Sequence, residues 1–237
     1  MSDQTCVVLL SGGQDSTTCL FWALQKFARV HCLSVHYGQK HEVEVIAARR
    51  VVEIARDAYP EALVSYEEVP LGKVLSGTSP LVNDEQTLGK YDLIDELPGG
   101  VEPTFVPGRN LLFLVIAANR ATVIGAKDIV TGVCQEDFGG YFDCRRVFVD
   151  AMEHALSQGL DGADSGYTIH TPLMDTNKAD TVHMAVDLPG CMTAMAYTHT
   201  CYEGSVPPCG KCHACHLRAR GFSDAGVADP LLKRLAR

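Results

Sequence analysis

A short apolar run, Thr5 to Leu10, leads without a spacer into Ser11-Gly12-Gly13-Gln14-Asp15-Ser16-Thr17. This junction constrains the chain more than any other stretch. A short apolar run closed by glycine reads as a buried strand. Ser16 to Ala28 then carries Leu20, Ala23, Leu24 and Phe27 on one helical face. In open parallel sheets, ligands gather at the carboxyl ends of strands. Leu10, Ser11, Gly12, Gly13, Gln14, Asp15, Ser16 and Thr17 therefore form a candidate cradle for an anion. The two glycines allow close approach to the backbone. The helix start offers free amides and the positive end of its dipole, and three hydroxyls add donors. The cradle has no lysine, so it is not the common P-loop, and it lacks the G-x-G-x-x-G of dinucleotide sites. A plain turn with Asp15 or Ser16 as helix cap is the simpler alternative. Such a turn does not need three hydroxyls and two glycines in register.

Beyond this junction the pattern alternates. Val30 to Val35 and Leu63 to Val69 read as strands around a helix from about Glu42 to Ala58. Later come a helix over Asn110–Ile124, a strand over Asp128–Val133 and a helix over Arg145–Ser157. A short strand over Tyr167–His170 and a helix over Asn177–Leu188 follow. Alternation of this kind implies an α/β fold with a doubly wound parallel sheet. Residues 1–190 form the α/β domain in this reading, and 191–237 a C-terminal metal-binding and helical extension packed on it. Within the first of these, Leu71 to Gly108 breaks the pattern and is rich in Gly, Pro, Ser, Asp and Glu. A connection of that length is either a flap near a site or a loose surface loop.

Composition narrows the partners. The chain has 237 residues and a formal charge of −9. Proteins that grip a phosphate backbone unaided are usually basic, so nucleic acid is disfavoured. The best apolar run, Leu111 to Ala118, is far below the ~18 residues of a membrane span. Met1-Ser2-Asp3-Gln4 lacks the basic start of a signal peptide. Ten cysteines without an export signal suit a reducing compartment, and a cytoplasmic location is expected.

Four of those cysteines fall at Cys201, Cys209, Cys212 and Cys215, with Pro207, Pro208 and Gly210 between them. Four thiolates close a tetrahedral zinc shell and leave no open position, so the expected role is structural. A four-iron cluster and unliganded thiols are the alternatives. His213 and His216 read as bystanders. Cys6, Cys19 and Cys32 read as core thiols. Arg109 and Lys178 sit at predicted helix starts, where the dipole disfavours a cation. Both are candidates for polyphosphate binding, with magnesium as the companion ion. Asp15 is a candidate for holding that ion.

Ser-Gly-Gly-x-Asp-Ser after the first strand resembles the pyrophosphate loop of the N-type ATP pyrophosphatases. Further blocks narrow the resemblance: His36-Tyr37-Gly38-Gln39-Lys40-His41, Phe105-Val106-Pro107-Gly108-Arg109-Asn110 and Thr131-Gly132-Val133-Cys134. Asp143-Cys144-Arg145, His170-Thr171-Pro172-Leu173, Thr200-Cys201-Tyr202 and Cys209 to Arg218 complete them. Together they resemble the 7-cyano-7-deazaguanine synthase family. The resemblance implies an adenine-nucleotide α-hydrolase-like sheet, a homodimer, and a ligase that uses ATP and ammonia on 7-carboxy-7-deazaguanine. Asp15, Ser16, Arg109 and Lys178 would then be catalytic. His36, Tyr37, Asp137, Tyr141, Asp143 and Arg145 would hold the substrate. A carboxylate suits the paired donors of a deazaguanine edge, which favours Asp137 and Asp143, with Glu136 behind them. Arg145 suits the substrate carboxylate. Tyr141 or Phe138 would stack on the base, and His36 and His41 would carry protons. Two other readings stay open on the sequence: a tRNA-modifying sulfurtransferase with the same loop, and a zinc-stapled nucleotide-binding module without turnover.

Overall fold

Consecutive residues of the first strand lie in opposite cores. In the computed structural model, which describes residues 2–39, 43–97, 101–134, 140–162 and 166–236, β1 spans Ser2–Leu9. It puts Cys6 and Val8 in one apolar cluster and Val7 in another. The pleat sends successive side chains to opposite faces, so the apolar half of this strand, Cys6 to Leu9, needs cover on both sides. α1 (Gln14–Lys26) and α2 (Val43–Ala58) cover the first face through Leu20, Leu24, Val51 and Val52. α3 (Arg109–Val123) and α4 (Arg146–Asp161) cover the second through Leu114, Ala117, Ala121, Val149 and Leu156.

β2 (Phe27–His36), β3 (Leu63–Pro70), β4 (Asp128–Val130) and β5 (Thr168–His170) complete the sheet. Its five strands run in the order β3-β2-β1-β4-β5, and every pair is parallel. This is the doubly wound α/β architecture that the alternation implies. The chain builds one side of β1 first, then crosses back to place β4 on its other edge. The loops after β1 and β4 therefore diverge and leave a crevice at the carboxyl edge. Among the described residues no helix is long and apolar enough to cross a membrane.

The paired residues of β4 end at Val130, not Val133: the Thr131 amide still donates to the His170 carbonyl at 3.0 Å, and Thr131, Gly132 and Val133 line the crevice. Gly132 lies so close to α1 that a Cβ there would be 3.0 Å from the Ser16 amide nitrogen. After α5 (Lys178–Asp187) comes α6 (Cys191–Met195), a helix too short for periodicity to reveal. α7 (His213–Asp224) starts inside the cysteine knuckle, and α8 (Pro230–Leu235) ends the fold. Cys191, Ala194, Met195 and Phe222 join the cluster that contains Cys6 and Val8. Buried Arg218 holds α7 to the start of α8 through a fork on Asp229 at 2.7 and 2.9 Å.

Among its described residues, the 71–108 segment forms one helical turn, Ile94–Glu96. Even so, Ser79, Leu81, Glu102, Thr104 and Val106 are buried. The Ser79 hydroxyl donates to the Thr104 carbonyl at 2.9 Å. Further along, the Tyr91 amide donates to the Lys211 carbonyl at 2.9 Å, and Lys211 Nζ meets Asp92 at 2.7 Å. The segment is thereby docked on the cysteine knuckle.

Candidate active site

The loop after β1 is tied together by its own hydroxyls. Gly13 is the N-cap of α1 and no side chain caps the helix. The simpler reading of Asp15 or Ser16 as cap therefore fails. The Ser11 amide donates to Ser16 Oγ at 3.2 Å, and the two seryl oxygens lie 3.0 Å apart. Ser16 Oγ donates to the Gly13 carbonyl at 3.2 Å, and the Gly13 amide donates to Ser11 Oγ at 3.2 Å. The first-turn amides of α1 have no partner within the helix. Gly12 has a φ of +87°, and a Cβ there would lie 2.4 Å from the Glu44 carbonyl oxygen. Only glycine lets the first turn of α2 press so closely on the loop. From the other side, the His199 amide donates to the Gly12 carbonyl at 3.0 Å.

The loop opens into a cavity of about 320 Å³, within the size range of small-ligand sites. Leu10, Ser11, Gly13, Gln14, Asp15 and Ser16 line it, with His36 and Tyr37 from the end of β2 and Thr131 and Gly132 from beyond β4. Gly12 and Thr17 are not in its lining, and Thr17 is fully buried. Among the described residues, six buried polar side-chain atoms have no hydrogen-bond partner: Thr17 Oγ1, which lies behind the loop, and Gln14 Nε2, Asp15 Oδ1, His36 Nε2, His199 Nε2 and His213 Nε2. The last five belong to residues that line this cavity. Buried polar groups are rarely left unpaired, so their convergence marks a site for a polar ligand.

Charge is arranged around the same space. Lys178, the first residue of α5, places Nζ 2.8 Å from Asp15 Oδ2. Arg109, the first residue of α3, lies beside Tyr37, Tyr141 and Tyr202. Loss of solvation pushes the Glu44 carboxyl up to about 7, even though Arg109 and His199 pull it down. Burial pushes the Tyr141 hydroxyl up to about 12, and that hydroxyl lies 2.5 Å from Thr104 Oγ1 and 3.3 Å from Glu102 Oε2.

Two expected substrate residues stand apart from this cavity. Asp143 Oδ2 accepts the Asn110 amide at 3.3 Å, so its carboxylate serves the start of α3. The Arg145 guanidinium lies over the Phe142 ring at 4.8 Å. It belongs to a separate recess, with Gly140, Tyr141 and Arg146. Asp137, with Glu136 and Phe138, lies outside the described residues, as does His41. The core thiols are as expected: Cys6, Cys19 and Cys32 are buried, and burial raises all three.

Beyond the cavity, the sulfurs of Cys201, Cys209, Cys212 and Cys215 all lie within 4.8 Å of one another, a group that can hold a metal ion. Backbone amides point at these sulfurs. Cys209 N reaches Cys201 Sγ at 3.4 Å, and Lys211 N and Cys212 N reach Cys209 Sγ at 3.4 and 3.3 Å. Such donors stabilise thiolates, the form that binds metal.

The profile of the family described as queuosine biosynthesis protein QueC matches residues 5–226. The chain belongs to the QueC family. It is 50% identical over 229 residues to a 7-cyano-7-deazaguanine synthase from Gloeobacter violaceus, covering 96% of this chain and 95% of the relative. A protein of the same name from Laribacter hongkongensis is 46% identical over 230 residues, at 97% and 95% coverage. One from Chromobacterium violaceum is 43% identical over 235 residues, at 98% and 95%. In this QueC-family chain the cavity also takes in Glu44, His199, Tyr202 and His213, which residue patterns did not single out as ligand-facing. Glu44 follows the His36–His41 block by three residues, and Tyr202 lies inside the Thr200-Cys201-Tyr202 block. In the sequence His213 reads as a bystander of the metal. The signal present was adjacency to those blocks; the direction of each side chain needed the fold.

Proposed function

We propose that this chain is an ATP-dependent carbon–nitrogen ligase that converts 7-carboxy-7-deazaguanine and ammonia to 7-cyano-7-deazaguanine. The substrate carboxylate takes AMP from one ATP and pyrophosphate leaves. Ammonia displaces AMP to give the amide. The amide oxygen takes AMP from a second ATP, and loss of that AMP leaves the nitrile. The observation that carries this reading is the loop of hydroxyls and backbone amides at Ser11, Gly13 and Ser16, opening at the crevice into a cavity lined by residues with five buried polar atoms that lack a hydrogen-bond partner among the described residues. Both ATP-dependent steps release pyrophosphate, so one anion site serves the whole sequence. Preorganised donors aimed at departing charge are typically the largest catalytic term.

Ser11, Gly13, Ser16 and the first-turn amides of α1 would take the phosphates. Asp15 fits magnesium: Oδ2 faces Lys178 while Oδ1 is buried and unpartnered. That ion would supply neutralisation of the bridging oxygens. Arg109, inside the cavity, suits the substrate carboxylate better than Arg145 does, and the ring of Tyr141 would flank the base. His36 and Tyr37 complete the pocket wall. For the knuckle we propose a single structural zinc. Zinc–sulfur bonds of about 2.3 Å in a tetrahedron set the sulfurs about 3.8 Å apart, and Cys209 Sγ and Cys215 Sγ are 3.9 Å apart. A four-iron cube would hold its thiolates further apart than that.

Incubation with ATP, ammonium and 7-carboxy-7-deazaguanine, followed by mass spectrometry, tests the function. The expected products are the nitrile and AMP; intact ATP and unchanged substrate would overturn the reading. We further propose a homodimer, supported by the exposed apolar residues Leu111, Val115 and Val123 on α3. Light scattering should give twice the chain mass, and a monomer mass would contradict it.

A further inference from the structure

Ammonia reaches any active site at neutral pH almost wholly as ammonium, which, like a lysine head group, holds its proton. A ligase that uses it as nucleophile needs a proton acceptor beside the adenylate. That acceptor must not be one of the groups that neutralise phosphate. Among the described residues that line the cavity, two are carboxylates, Asp15 and Glu44. Asp15 is paired with Lys178 at 2.8 Å. Glu44 differs in three respects. It stands in the first turn of α2, whose backbone presses on Gly12, so its side chain departs from a point fixed against the phosphate loop. It faces Arg109 and His199, and Tyr37 feels its charge, so it lies where the substrate carboxylate would be held. Finally, no hydrogen bond within the described residues claims its oxygens.

Resting on the ligase reading above, we infer that Glu44 is a further catalytic residue, the base that takes a proton from ammonium beside the acyl-adenylate. The carboxylate removes one proton from ammonium. The freed lone pair forms the bond to the acyl carbon, and the carbon–oxygen bond to AMP breaks with its electron pair on AMP. A second proton leaves the attacking nitrogen by the same carboxyl, and each passes to solvent water through the mouth of the cavity. A carboxyl that titrates near 7 is suited to this exchange, since a base works best when its pKa lies near the working pH. Burial raises that value, and the Arg109 and His199 that face Glu44 pull against it. Tyr37 comes from the end of β2, Arg109 from α3 and His199 from the segment before Cys201, while His36, Asp15 and Lys178 line the same space.

Hydroxylamine separates the base from everything else, because it is largely uncharged at pH 7 and attacks the same adenylate without prior deprotonation. The experiment measures amide formed from ammonium and hydroxamate formed from hydroxylamine, each with ATP and the carboxylate. In Glu44→Gln the ratio of amide to hydroxamate rates should fall by about 100-fold, the usual worth of a positioned base. It should recover as pH is raised and free ammonia accumulates. A ratio within threefold of the unsubstituted protein would overturn the assignment. Should the variant not fold, the unsubstituted protein decides. At constant free ammonia its amide rate should bend near pH 7 while the hydroxamate rate stays flat, and parallel profiles would overturn it. If the unsubstituted protein makes neither product, the ligase reading itself fails, and this inference with it.

Discussion

Asp15 and Lys178 come from the first turns of two different helices and meet at 2.8 Å beside the phosphate loop. A cation at a helix start looked unfavourable in the sequence, and the partner that explains it was 163 residues away. Asp15→Asn removes the charge that Lys178 faces and the oxygen that we propose for magnesium. Pyrophosphate release should fall about 100-fold, in the range seen when one preorganised group is lost, with the melting temperature little changed. Activity within twofold of the unsubstituted protein would contradict the role. Glu44 gives a second prediction, in stability. Its carboxyl is raised from 4.5 to about 7, so the folded protein holds the proton more tightly than the unfolded chain. That contribution is complete below 4.5 and is lost as pH rises to about 7. Glu44→Gln has no such loss, so its melting temperature should gain on the unsubstituted protein across this window and level off above it. A constant difference in thermal scans would show that the carboxyl is not raised. Residue types were legible where the backbone dictated them, as at Gly12. Side-chain direction was not: the sequence alone could not place Asp143 on the Asn110 amide or Arg145 over Phe142.

At the scale of elements, the knuckle and the 71–108 segment support each other. Tyr91 donates to the Lys211 carbonyl, His216 Nε2 lies 2.9 Å from the Tyr91 carbonyl, and Lys90 meets Glu203 at 2.7 Å. Glu102, on the same segment, lies 3.5 Å from His213 Nδ1 and 3.3 Å from the Tyr141 hydroxyl, which connects the knuckle to the cavity wall. Cys212→Ala should abolish stoichiometric metal in elemental analysis and speed hydrogen exchange at the Tyr91 amide by at least about tenfold. Retained metal would mean the ligand set is wrong, and unchanged exchange would mean the segment is held by something else. Long periodic helices such as α2 and α4 were legible, since their apolar stripes span several turns. The docking of residues 71–108 was not, because its contacts are backbone amides and single buried polar groups without period.

The whole molecule turns on one topological fact, the position of β1 between β2 and β4. Strand–helix alternation foretold the parallel sheet, and the glycine loop foretold which strand end would carry the site. What no local pattern carried was how the C-terminal segment closes the site. His199 holds the Gly12 carbonyl, and Tyr202 and His213 line the cavity from a part of the chain read only as a metal staple. The resulting enclosure joins a phosphate cradle, a paired Asp15–Lys178 and Arg109 in one space, which suits transfer of AMP to an oxygen of the substrate. The most direct test follows both carboxylate oxygens. With 7-carboxy-7-deazaguanine labelled with heavy oxygen at its carboxylate, each AMP recovered should carry one labelled oxygen, two labelled AMP molecules for every nitrile formed. Unlabelled AMP, or label found in water or pyrophosphate, would contradict transfer of AMP to the substrate.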